Sequence, residues 1–328
     1  MTHKIAFLVE GGLEMGMGHI YRTIALAEEL GDRAEMNFLT KSDEIVINQI
    51  ENAGFNVLTP KNDDEVANLL RETKPDIIIV DRLDITEDFA KELKETLKTK
   101  LVLFENLSTA SKYADVVVNA IMGSEFNNRK FLDRNTNTLY FYGPKYLMFR
   151  KEFYEFRRQG KSLSDEVEKV LLSFGGSDPS NLTSIVLDEL LSLNNDFKID
   201  VILGAHFGYF DELNWVLVQH QDKKENVNQY RNIKNVAELM YKADLVIASP
   251  GLSVFEALCV GTPVIVMHQN LWQKKGFEGF AETLAKSEVN RLRDIIASGD
   301  FLNPHHGYIK RLNIGEGKTE LIKAIIGG

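Results

Sequence analysis

Short apolar runs rich in β-branched residues alternate along this chain with longer segments of helical period, and the alternation occurs twice over. Strands of a parallel sheet are covered on both faces by crossover helices, so they read as near-continuous Val, Ile and Leu runs. The pattern predicts a first series of strands at Ile5–Val9, Met36–Leu39, Asn56–Leu58, Ile77–Val80, Leu101–Phe104, Val116–Val118 and Leu139–Tyr142. Helices are predicted between them at Ile20–Leu30, Glu44–Ala53, Asp64–Glu72 and Glu87–Leu97. A second series predicts strands at Val170–Phe174, Ile199–Leu203, Leu245–Ala248 and Val264–Met267. Its helices are predicted at Leu182–Leu191, Tyr209–Val218, Val236–Tyr241 and Ser253–Val260, with mostly helix after Leu271. The polar stretch Lys151–Glu168 between the series reads as a linker. A chain of 328 residues has room for two such domains. The expected fold class is therefore α/β, two Rossmann-like doubly wound domains (1–150 and 151–328) facing a cleft, with ligand at the carboxyl ends of the strands.

Composition narrows the partners. The net charge is −10, and the acid excess is shared, with 18 basic and 24 acidic side chains in residues 1–150 and 20 and 24 in the remainder. Such a surface repels a phosphate backbone, so no nucleic-acid partner is expected, although local donors can hold an anionic small molecule. The single cysteine, Cys259, can form neither an internal disulfide nor a Cys-rich metal site and fits a reducing, cytoplasmic compartment. The first apolar run is too short for a signal segment or a membrane span, so no stable membrane insertion is expected. The sequence contains no GxxxxGKS/T phosphate loop and no HExxH. In Gly16-Met17-Gly18-His19-Ile20-Tyr21, Tyr21 occupies the place where a dinucleotide fingerprint needs its third glycine, which disfavours nicotinamide and flavin. No cofactor and no metal are expected.

Three strand-to-helix turns carry residues suited to chemistry. In the first, Gly11, Gly12, Gly16 and Gly18 precede His19 and Arg22 at the start of a helix. The positive helix end disfavours an imidazolium, so His19 reads as a neutral proton acceptor, and Arg22, one turn on, as a holder of an anionic group. The plain alternative is a glycine turn whose histidine merely caps the helix. The second turn, Gly175-Gly176-Ser177-Asp178-Pro179, offers either free backbone N–H groups for a phosphate or an ordinary cap at Asp178 or Ser180. In the third, Ser249-Pro250-Gly251-Leu252-Ser253, Ser253 and Glu256 form a possible Ser-x-x-Glu capping box. The functional reading gives the diphosphate to the turn and Ser253, and the ribose hydroxyls to Glu256. Two phosphate-type turns in one domain suit a nucleoside diphosphate.

The stretches Gly-Met-Gly-His-Ile-Tyr-Arg (16–22), Tyr-Gly-Pro-Lys-Tyr-Leu-Met-Phe-Arg-Lys-Glu-Phe (142–153), Ser-Phe-Gly-Gly-Ser-Asp-Pro-Ser-Asn-Leu (173–182) and Ser-Pro-Gly-Leu-Ser-Val-Phe-Glu-Ala-Leu (249–258) carry a resemblance. The chain resembles the UDP-sugar hydrolases of pseudaminic acid biosynthesis and their spore-coat polysaccharide relatives, which share the GT-B-like fold of the lipid II glycosyltransferase. The resemblance implies UDP held by the C-terminal domain and metal-independent attack of water on a UDP-linked amino sugar. It also implies His19 as the catalytic histidine, diphosphate contacts at Gly175–Asp178 and Gly251–Ser253, and Glu256 on the ribose. Gly16, Gly18, Arg22, Gly176, Ser177, Val236, Ser249, Leu252, Gln269 and Asn270 complete the expected substrate-binding set. The absence of any pair of Asp residues two apart fits a metal-independent reaction.

The sequence departs from the family at two places. Asp81-Arg82-Leu83 stands where the hydrolases show Asp-His-Tyr, and Phe255 stands where some members place an asparagine. The nucleotide half is kept and the sugar half changed, so a glycosyltransferase using a UDP-sugar donor is the rival reading and a non-catalytic sugar-nucleotide-binding protein the third. Elsewhere, His305-His306 reads as a solvated loop, His268-Gln269-Asn270 as a strand end at the ligand edge, and Trp272 equally as core or stacking platform. Cys259 reads as packing.

Overall fold

The computed structural model describes residues 2–12, 16–121, 127–164, 166–231, 233, 235–268, 273–274, 277, 281–299 and 312–327. The chain divides into two compact units, Met1–Arg150 with Leu312–Gly328, and Lys151–Arg311. The first contains strands β1 (His3–Val9), β2 (Ala34–Leu39), β3 (Asn56–Leu58), β4 (Ile77–Asp81), β5 (Lys100–Phe104), β6 (Val116–Asn119), β7 (Arg129–Asp133) and β8 (Thr138–Tyr142). Helices α1 (Gly18–Leu30), α2 (Glu44–Asn52), α3 (Asp63–Thr73) and α4 (Glu87–Leu97) connect the first five strands. The sheet order is β3-β2-β1-β4-β5-β6-β8-β7, and every pairing is parallel except β7 with β8. All five residues of β4 are buried, as its unbroken Ile-Ile-Ile-Val run requires of a strand covered on both faces. One face packs Phe7, Phe38, Ile79 and Val102 against α1 and α2, with Phe7 stacked on Phe38 at 4.6 Å. The other packs Leu8, Ile78 and Leu103 against α3 and α4.

The second unit contains α5 (Lys151–Gln159), β9 (Lys169–Ser173), α6 (Leu182–Ser192), β10 (Lys198–Leu203), α7 (Phe210–Gln219), β11 (Val227–Arg231) and α8 (Val236–Lys242). It continues with β12 (Leu245–Ala248), α9 (Leu252–Cys259), β13 (Val264–His268), β14 (Glu282–Ala285) and α10 (Leu292–Ser298). Its sheet is parallel throughout, in the order β11-β10-β9-β12-β13-β14. Two Rossmann-like, doubly wound units are thus present. Each sheet reverses its strand order once, between β1 and β4 in the first and between β9 and β12 in the second, and such a switch point is where α/β sheets bind ligands.

Two expectations are corrected. The second domain does not run to residue 328: the helix Lys318–Ile326 belongs to the first unit, where Leu321, Ile322 and Ile325 enter the α1 side of the core. Lys318 pairs with Glu29 at 2.5 Å and Lys100 donates to the Ala324 carbonyl at 2.6 Å, holding that helix in place. The expected linker begins with α5, whose Phe153 is fully buried and whose Phe156 ring lies 5.1 Å from Tyr241. The described residues after Leu271 are mostly helical, as expected, with the short strand β14 added. Among the described residues, no helix is long and apolar enough to cross a membrane.

Candidate active site

The first switch point gathers charge. Helices α2, α3 and α4 are each closed by a side chain, Asp43, Asn62 and Thr86, that accepts from a first-turn N–H. Helix α1 is not: Met17 stands at its N-cap, with no side-chain cap and no acidic residue in the first turn. Ahead of it the glycine loop closes on itself, Gly12 N donating to Gly16 O at 3.1 Å and Gly16 N to Gly12 O at 2.8 Å. Gly16 sits at φ +74°, where a Cβ is strained, and a Cβ on Gly11 would lie 2.7 Å from Ile20.

His19 therefore enters on an uncapped helix terminus, and it does not act as a cap. Its Nδ1 lies 2.7 Å from Oδ1 of Asp81, the last residue of β4, opposite Val9 in the sheet register. Asp81 is fully buried, and it also accepts from Arg22, whose Nε is 2.5 Å from Oδ2 and whose Nη2 contacts Oδ1. Burial alone pushes the Asp81 carboxyl up, but the charge of Arg22 and the hydrogen bonds from Arg22 and His19 outweigh it and hold the group well below the usual carboxylate range. An ionised Asp81 accepts only, so its contact with His19 is met by the Nδ1–H tautomer, which leaves Nε2 as the acceptor nitrogen, whereas Arg22 Nη2, 2.9 Å from the same Nδ1, is met by the opposite tautomer. Arg22 is itself buried, so its role is not the expected grip on a ligand anion: it neutralises Asp81. A second carboxylate, Glu105, follows β5 in the left-handed region at φ +48° and lies 3.4 Å from Arg22 Nη1. It also accepts from the N–H groups of Ala120 and Ile121 at 3.0 and 3.1 Å. Neither Asp81 as the partner of His19 nor Glu105 was expected; the signal was an acidic residue at the carboxyl end of a fully apolar strand beside the switch point.

The departure at Arg82 has a structural cause. Its guanidinium, 3% exposed, donates to Asp63 at 2.9 and 3.1 Å and to Asp84 at 2.5 and 2.8 Å, which pins the loop after β4. Leu83 beside it is left 52% exposed.

The second switch point is built from backbone. Gly175, after β9, has φ +82°, and a Cβ there would stand 3.8 Å from Ser249 Oγ in the turn after β12, so the two glycine turns abut. The Gly175 and Gly176 carbonyls crowd Gly204, where a Cβ would come within 2.3 Å of both, and His206 N donates to Gly176 O at 2.9 Å. Asp178 is corrected from ligand to cap. It is 2% exposed and accepts from Leu182 N and Thr183 N at 2.8 Å each, so the α6 N-terminus is already occupied by a carboxylate. The third turn goes the other way. Gly251 is the N-cap of α9, no side chain caps it and no acidic residue lies in its first turn, so the Ser253–Glu256 capping box does not form. Leu252 and Ser253 open that helix, and Glu256 lies in its second turn, 7% exposed. Val236 opens α8, whose cap is Asn235. Phe255 is fully buried, 5.8 Å from the Phe277 ring, so it packs in the core. Gln269, Asn270, Trp272, His305 and His306 lie outside the described residues.

No family model matches the sequence. An uncharacterised protein of Methanocaldococcus jannaschii is 47% identical over 98% of this chain, which spans 66% of that protein's length. The spore coat polysaccharide biosynthesis protein SpsG of Bacillus subtilis is 28% identical over 85% of this chain and 81% of its own. The UDP-2,4-diacetamido-2,4,6-trideoxy-beta-L-altropyranose hydrolase of Campylobacter jejuni is 23% identical over 78% and 88%. Among solved structures, MurG of Acinetobacter baumannii superposes with a TM-score of 0.64 at 14% identity, covering 99% of both chains. HepE of Anabaena, solved with UDP-glucose, superposes at 0.56 and 17%, covering 98% and 95%. The fold is thus of the GT-B class, two Rossmann-like units with parallel sheets. The chain is similar in sequence to SpsG and to the altropyranose hydrolase over most of its length, and it shares the fold of MurG.

Proposed function

We propose that this chain is a nucleotide-sugar enzyme that hydrolyses a UDP-linked amino or deoxy sugar to free sugar and UDP, in the synthesis of a surface polysaccharide or nonulosonic acid. The observation that carries the reading is the Asp81–His19 pair, 2.7 Å apart, which orients the ring and, in the tautomer whose Nδ1–H donates to Asp81, leaves Nε2 as a proton acceptor. In the proposed step Nε2 takes a proton from water while the water oxygen bonds to the anomeric carbon. The bond from that carbon to the diphosphate oxygen breaks, and UDP departs with the electron pair. The second unit is the proposed UDP site: the Gly175–Gly176 and Ser249–Ser253 turns with the uncapped α9 N-terminus take the diphosphate, and Glu256 the ribose. The name of the Campylobacter relative supports hydrolysis of a UDP-amino sugar, and the UDP-glucose complex of HepE, a protein of the same fold, supports a UDP-sugar ligand.

Transfer to an acceptor other than water is the second reading. Leu83 and Leu107, 52% and 53% exposed, follow β4 and β5 at the edge that carries Asp81, and they offer apolar surface to an acceptor. Incubation with a panel of UDP-amino sugars in oxygen-18 water separates the readings. Label in the free sugar supports hydrolysis by attack at carbon, whereas UDP released only with an added acceptor supports transfer. No release under either condition refutes both. His19→Ala is expected to abolish turnover and leave UDP affinity near wild type; unchanged turnover removes His19 from the mechanism.

A further inference from the structure

His268 ends β13, the strand next to β12, and only 6% of its side chain is exposed. Neither ring nitrogen has a hydrogen-bond partner among the described residues. A buried imidazole always carries at least one N–H donor and, when neutral, one acceptor, and leaving both unmet costs the full desolvation penalty. A bound water, ion or ligand can supply such missing bonds, and the position of the ring decides among them.

Its place in the sheet points to what that is. Ile265 and Met267 face the core formed with α6 and α7, so by strand alternation His268 lies on the opposite face, the one α9 covers. The register sets Ala248 against Val266, which brings His268 level with the Ser249–Gly251 turn. It therefore stands beside an uncapped helix terminus at the carboxyl end of a parallel strand, one strand beyond the β9–β12 switch point. We infer that His268 is a substrate-binding residue that hydrogen-bonds to the sugar of the nucleotide sugar, next to the diphosphate held by the turn. The inference rests on the UDP-sugar reading above and adds to it a specificity contact on the sugar side.

Titration calorimetry with UDP and with UDP-N-acetylglucosamine as probes, on wild type, His268→Phe and His268→Gln, tests it. In His268→Phe the affinity for UDP-N-acetylglucosamine is expected to fall about tenfold, the equivalent of one hydrogen bond, while that for UDP stays within about twofold. Because the imidazole is unpaired in the free chain, the phenylalanine variant is expected to melt no lower than wild type without ligand. His268→Gln keeps a donor and an acceptor and should regain part of the sugar affinity. Nitrogen-15 resonances of the His268 ring should move on adding UDP-N-acetylglucosamine and not on adding UDP. Equal sugar-nucleotide affinity in His268→Phe overturns the inference alone, as does an equal loss for UDP or a melting point several degrees lower. If wild type binds neither probe, the UDP-sugar reading fails and this inference falls with it.

Discussion

Asp81→Asn is the sharpest probe of the site because it changes one atom type and leaves the shape. The carboxylate accepts three donors, Arg22 Nε on Oδ2, and Arg22 Nη2 and His19 Nδ1 on Oδ1. An amide has one acceptor oxygen. If that oxygen takes the Oδ1 position, the amide NH2 faces Arg22 Nε at 2.5 Å, donor against donor; if it turns over, NH2 faces His19 and reverses the tautomer. Removing one partner of a buried ion pair costs roughly 3–5 kcal/mol, and Arg22 keeps Glu105 at 3.4 Å, so the lower end, about 3 kcal/mol, applies. For a unit of this size that corresponds to a fall in melting temperature of roughly 6–12 °C. Turnover, followed as UDP release, should drop by on the order of 10²- to 10⁴-fold through loss of the correct tautomer, with UDP affinity unchanged. A variant that melts within 2 °C of wild type, or that turns over at the wild-type rate, would refute the assignment of Asp81.

The pH dependence carries the same sign. Asp81 is held below its unfolded value, so its stabilisation is present above about pH 4 and is lost as pH falls towards its folded value; the stability gap between wild type and Asp81→Asn should narrow in acid. Burial pushes the Cys259 thiol up to about 12, so a thiol reagent at pH 8 should label it only on unfolding, and rapid labelling of the native chain would contradict its burial. Phe255→Asn, which restores a family residue, should not improve turnover and should cost roughly 3–5 kcal/mol in denaturant titration, because it places an amide in the core beside Phe277. Gly175→Ala, at φ +82°, should cost roughly 1–2 kcal/mol and weaken UDP binding measured by calorimetry; unchanged affinity would remove that turn from the nucleotide site.

What the sequence makes legible follows burial. Strands β4, β5, β9, β12 and β13 are covered on both faces, and their Val, Ile and Leu runs stand out from the chain. Strands β7, β11 and β14 do not, and all three are sheet edges. β7 is Arg-Lys-Phe-Leu-Asp with four of five residues exposed, and β11 is Val-Asn-Gln-Tyr-Arg with none buried. A strand paired on one side needs no continuous apolar run, so periodicity passes over it. The helix Lys318–Ile326 shows apolar period, but nothing local tells which unit receives it; that is decided by which core lacks a cover. His19 stands out in the sequence through its glycine loop. Asp81 lies 62 residues away and meets it only through the β1–β4 crossover, and the three readings of Asp178, Ser253 and Phe255 turned on caps and rotamers rather than on residue type.

The two switch points share a topology and differ in what fills them. At the first, Asp81, Arg22 and Glu105 are ionisable groups buried to 6% exposure or less, arranged around one histidine. Holding those charges out of water needs the mutual pairing seen there, and the outcome is a fixed ring orientation. At the second, the residues around the turns are Gly175, Gly176, Ser249 and Gly251, and the α9 terminus is left without a side-chain cap or first-turn acid. A chain with net charge −10 can present positive potential to a diphosphate in this way, through oriented backbone N–H groups instead of lysine and arginine. The same winding thus carries a buried charge cluster around a histidine in one unit and glycine turns beside an uncapped helix terminus in the other.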